Sequence, residues 1–124
     1  MADIGRAYVT IGLAWLVLGM LLGLYMGASG DNKYLDVHVA MLLGGFVVLT
    51  FYGVLYRLWP GLTHSGLAAP QFWIAILGSL LISVGTGLIA NQMGIAVAVV
   101  GSVLAIIGAV LMLWIFWTRG GEAQ

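Results

Sequence analysis

Residues 35–60 read L-D-V-H-V-A-M-L-L-G-G-F-V-V-L-T-F-Y-G-V-L-Y-R-L-W-P. Between Asp36 and Arg57 this stretch holds no charged side chain, and His38 is its single imidazole. At about 1.5 Å of rise per residue, a helix of this length crosses the roughly 30 Å hydrocarbon core of a bilayer. Pro60-Gly61 is helix-stopping punctuation, so the run predicts a span over 35–59. An ionisable group inside such a span is a functional-site hypothesis in its own right, which makes His38 the residue to explain.

Working outward, the same apolar character extends over the chain. Hydrophobic residues make up 63% and charged residues 6% of 124, against roughly a quarter charged in an ordinary soluble domain. Three further spans are predicted at 8–26, 70–90 and 94–117, with Pro70 at a tolerated first-turn position. The start, M-A-D-I-G-R, has no small-residue cleavage site, so the first span is expected to be retained. Residues 1–124 are therefore expected to form one transmembrane unit. The connections are short, down to N-Q-M between the last two spans, and short connections make consecutive helices antiparallel neighbours. The expected fold class is all-α, an integral membrane up-down four-helix bundle.

Arg6, Arg57 and Arg119 fall at one end of this arrangement, whereas the other end carries Lys33 offset by Asp31 and Asp36. By the positive-inside rule the amino and carboxyl termini are expected to be cytoplasmic, in a bacterial inner membrane. Tyr8, Tyr34, Trp59, Trp73, Trp114 and Trp117 lie near the predicted ends as interfacial anchors. His38 then sits about one turn below the outer surface, and His64 in the opposite loop as a turn residue.

Glycine is abundant, at 19 residues. Gly19, Gly23 and Gly27 recur every fourth position, and Gly94, Gly101 and Gly108 every seventh. Both spacings put small residues on one helix face, where they serve close packing within the bundle or self-association. Gly44 and Gly45, nearly two turns below His38, are expected to leave room for a flat ligand against the helix.

The sequence excludes several classes. There is no cysteine and the formal net charge is zero, so thiolate metal sites and a basic nucleic-acid face are absent. No H-E-x-x-H, phosphate-binding loop or nucleophile elbow occurs. The spans carry no midplane charge of the kind expected in a transporter or channel.

The stretch containing His38 resembles the second helix of the catalytic subunit of heme-copper oxidases and the related nitric oxide reductases. The matching positions are His38, Gly45 with Phe46, Gly53 with Tyr56, and Pro60. The following A-A-P-Q-F-W-I-A-I-L-G-S-L-L is similar to the third helix of small oxidase-like proteins at Gln71, Phe72, Trp73 and Gly78. The resemblance covers only the front four of about a dozen helices in that family, and the later helices that bind copper and the high-spin heme have no counterpart. It implies that His38 is an axial ligand of a b-type heme and the metal-binding residue, in electron transfer or diatomic gas sensing rather than as a complete oxidase. The sixth heme position would fall to Met26, to His38 of a second copy, to a partner subunit or to a gas. Tyr34, Asp36 and Lys33 are candidates to support the heme. Three readings stand beside it: a polar residue bonded to a carbonyl or water, a metal shared by several copies of His38, and a cofactor-free structural or assembly subunit of a respiratory complex. The bilayer and either a homo-oligomer or a larger membrane complex are the expected partners.

Overall fold

The computed structural model describes residues 3–121; the remaining five residues of the expected 1–124 unit lie outside it. It is all-helical among those residues, with four helices long and apolar enough to cross a membrane. Span one is Ile4–Ser29, span two Leu35–Leu58, span three Ala68–Ala90 and span four Ala96–Arg119. Span one extends beyond its predicted 8–26 at both ends, because capping there is good. The Asp3 carboxylate accepts from the Arg6 N–H at 3.0 Å, and Gly30 closes the helix at φ 71° with its N–H on the Met26 carbonyl.

Span two stops at Leu58, since Trp59, before Pro60, is held out of the helical region at φ -124° and ψ 75°. A 3₁₀ turn, Pro60–His64, leads towards span three. Pro70 lies within the first turn of that helix rather than beginning it, where its missing N–H would have been unpaired anyway. Span four begins at Ala96, later than the predicted 94. Gln92 and Gly94 have φ of 58° and 102°, so the turn consumes the glycine that the sequence assigns to the helix.

Consecutive spans are antiparallel. Within the first hairpin, Gly5 faces Arg57 and Gly53, Gly12 faces Thr50, Gly19 faces Leu42, and Gly23 faces His38. In the second hairpin, Gly78 faces Ala105, Gly85 faces Ala98, and Gly101 faces Leu81 and Ile82. Small residues thus let both pairs approach backbone to backbone. The fold departs from a closed bundle in one respect. Spans one and two, and spans three and four, pack along their lengths; span three meets span two mainly over residues 35–47, and spans one and four do not pack along their lengths. All four meet only at the end carrying the chain termini, in a core that includes Tyr8, Tyr56, Phe72, Met112 and Ile115.

That core is built around one amide. Gln71 is fully buried, and its Oε1 accepts from the hydroxyls of Tyr8 and of Tyr56, the latter at 3.2 Å. Its Nε2 donates to the Gly108 carbonyl at 3.2 Å. One side chain on span three therefore bonds to spans one, two and four, with its polar atoms satisfied where no water reaches. The Tyr8 ring stacks on Tyr56 and meets Phe72 edge-on, with centroids 5.8 and 4.8 Å apart. Tyr8 is thus a core residue and not an interfacial anchor. Trp73, Trp114 and Trp117 do point outward.

Candidate functional site

His38 lies in the opening α-helical turn of span two, Leu35–Val39, and a π-helical stretch, Ala40–Val47, follows directly. Wide turns of this kind are uncommon and concentrate at functional positions. The ring is half-buried between spans one and two. Its Nδ1 is 2.8 Å from the Gly19 carbonyl oxygen, and a carbonyl can only accept, so Nδ1 carries the proton. In the tautomer that donates from Nδ1, the Nε2 lone pair is left over. Among the described residues it makes no hydrogen bond, and it is not sealed from the surroundings.

Gly23 completes the seat. A β-carbon there would lie 2.8 Å from His38 Cε1 and 3.6 Å from Nε2, so any larger residue would push the ring off the helix. Gly19 and Gly23, expected as a packing strip, are the residues on which the imidazole rests. Gly27, the third member of that series, has nothing near its open side.

The expected planar groove at Gly44 and Gly45 divides. Gly45 is buried against the Trp15 side chain, and Leu42 covers Gly19 just below His38. Gly44 is open but faces away from this packing. The hairpin is thus closed on the side of His38 towards Gly45 and open on the side towards Gly27. Met26 is buried and lies seven residues beyond Gly19, on the same side of span one.

Two of the three neighbours proposed to support a heme have other engagements. Lys33 Nζ bonds Asn91 Oδ1 at 2.8 Å, and Tyr34 shares that amide. Asn91 also caps span three, donating to the Gly87 carbonyl at 2.9 Å, which is the helix-end role its position suggests. Asp36 is exposed in the first turn of span two. His64 is exposed in the 3₁₀ turn at the far end. Among the described residues, no cluster of three or more His, Cys, Asp or Glu side chains forms a metal cage.

No family model, curated protein or solved structure matches the chain.

The Gly19 carbonyl was not legible as a partner of His38, because the sequence does not give the helix register. The polar core at Gln71 was also missed. Tyr56 and Gln71 stood out only through the oxidase resemblance, and the structure gives them a local role as the hydrogen-bonded centre of four helices.

Proposed function

We propose that the chain is a multi-pass bacterial inner-membrane protein, with both termini cytoplasmic, that offers His38 as an axial ligand to a b-type heme. The observation that carries this reading is the anchored imidazole. Metal-binding histidines commonly donate their second ring N–H to a backbone carbonyl, which fixes the tautomer and aims the free nitrogen. His38 has that arrangement, with Nδ1–H on Gly19 and Nε2 unengaged.

The residues fit the group in donor chemistry, and the room they leave lies at Gly27 rather than along Gly45. His38 would hold the iron, and Met26 is the intrachain candidate for a second ligand; a second copy or a partner subunit is the alternative source. A bound heme supplies a one-electron couple whose potential follows axial ligation and burial. The chain's own contribution is to orient the imidazole and to keep its far nitrogen free of competing donors.

The test is an absorption spectrum of detergent-purified protein produced with ample heme. A Soret band that is lost in His38→Ala and kept in His64→Ala is expected. Colourless wild-type protein removes the reading.

A second reading has its own support, since the ring's fit onto Gly19 and Gly23 also locks two helices together. In a cofactor-free packing subunit, His38→Gln would restore the contact to Gly19 and cost little stability.

A further inference from the structure

Spans one and three run parallel, touch where Tyr8 meets Phe72, and separate above that point. The cleft between them is an apolar groove of about 210 Å³, lined on span one by Ile11, Ala14, Trp15 and Leu18 and on span three by Ile76 and Leu80. Ile11, at its lower end, also lines a recess of about 450 Å³ whose other walls are Asp3, Arg6, Ala7 and Thr10. Ala7 lines the recess and Ala14 the groove, seven residues apart on one face of span one, so small side chains flank Ile11 on both sides.

The charge at the mouth is specific. The Asp3 carboxylate is paired with Arg57 at 3.3 Å, while the exposed Arg6 guanidinium has no ion pair among the described residues. The Asp3 charge in the recess is thus offset from outside it by Arg57, and the three side chains together leave one positive charge, at Arg6. From Arg6 to Leu18 the track covers about 18 Å of helix, close to one leaflet's share, about 15 Å, of the hydrocarbon core.

From the unpaired Arg6 at the mouth, the apolar cleft and the wall they share at Ile11, we infer that the chain binds an anionic phospholipid of the leaflet at its terminal end. The phosphate sits at Arg6, beside the Thr10 hydroxyl, and one acyl chain fills the groove between spans one and three. This site is separate from His38 and does not depend on the heme reading.

Native mass spectrometry tests it on the full chain in mild detergent, equilibrated with equal amounts of phosphatidylglycerol and phosphatidylcholine of the same acyl composition. Wild type is expected to retain phosphatidylglycerol preferentially. Arg6→Gln should lower that preference about five-fold, the effect of one basic residue near an anionic surface. Ala14→Leu, a substitution facing the open groove, should reduce retention of both lipids while helical content by circular dichroism is unchanged. A lipid ratio that Arg6→Gln does not alter overturns the proposal. So does retention that survives Ala14→Leu, or a groove occupied by a second copy, seen as a dimer that Ala14→Leu dissociates while bound lipid stays constant.

Discussion

Substituting Gly101 by alanine should separate the second hairpin, and the structure sets the size of the effect. A β-carbon at Gly101 would lie 2.5 Å from the Ile82 nitrogen and 2.7 Å from the Leu81 carbonyl carbon. Both are backbone atoms of span three, so no side chain can rotate out of the way. Ordinary contact begins near 3.4 Å, and the two helices must part locally by about 0.9 Å, a gap that forfeits a quarter to a half of each affected dispersion contact. Gly78 against Ala105 and Gly85 against Ala98 lie on the same seam and loosen with it. Overpacking of this kind costs about 1–3 kcal/mol, and the better helix propensity of alanine returns up to about 1 kcal/mol. Because both obstructing atoms are backbone, the upper part of that range applies, about 2–3 kcal/mol, and the expected net loss is about 1–2 kcal/mol. Gly44→Ala is the control: nothing lies within 4 Å of its open side, so it should be neutral or up to about 1 kcal/mol more stable. Reversible unfolding in mixed micelles by added sodium dodecyl sulfate, followed by far-ultraviolet circular dichroism, measures both. Wild-type stability for Gly101→Ala, or an equal loss for Gly44→Ala, would refute the close-packed seam.

The same titration checks four further expectations. Gln71→Leu leaves the Tyr8 and Tyr56 hydroxyls and the Gly108 carbonyl without their common partner, and should cost about 2 kcal/mol or more. Ser83→Ala should instead gain about 1 kcal/mol, because the buried Ser83 hydroxyl has no hydrogen-bond partner and alanine favours the helix. His38→Ala removes the bond to Gly19 and should cost about 0.6 kcal/mol, the usual worth of an interhelical hydrogen bond in a membrane, whereas His38→Gln should recover most of it. Asp3→Ala should cost about 1 kcal/mol through the lost cap on span one, with little from the exposed Arg57 pair.

The class and the four spans were legible because uninterrupted apolar length admits few other readings, and span boundaries moved only where capping or turn chemistry intervened, as at Asp3 and Gly94. The short connections gave the antiparallel order. They could not show that spans one and four stay apart, because pattern marks which face is small and not which helix meets it. The spacing Gly5, Gly12, Gly19 was present in the sequence and reads, in hindsight, as the seam of the first hairpin; the every-fourth series drew the attention instead. His38 was identifiable as an imidazole in an apolar run, but its partner depended on register. The groove expected at Gly45 failed for a similar reason, since a tryptophan thirty residues earlier in the chain fills it.

The π-helical stretch Ala40–Val47 bears on that register. His38, Leu42, Phe46 and Thr50 all meet span one, a repeat of four. On a uniform α-helix each four-residue step overshoots a full turn by about 40°, so three steps would swing the last contact about 120° out of line. The widened turns absorb that error, which is close to the roughly 100° contributed by one residue. Span two therefore contains one surplus residue, taken up as slack. Deleting a single position within 40–47 should let the helix wind regularly with both halves still aimed at span one. The same deletion within 49–52 would instead rotate the half carrying Gly53 and Tyr56 about 100° relative to His38, so that the two halves of span two could no longer face span one together.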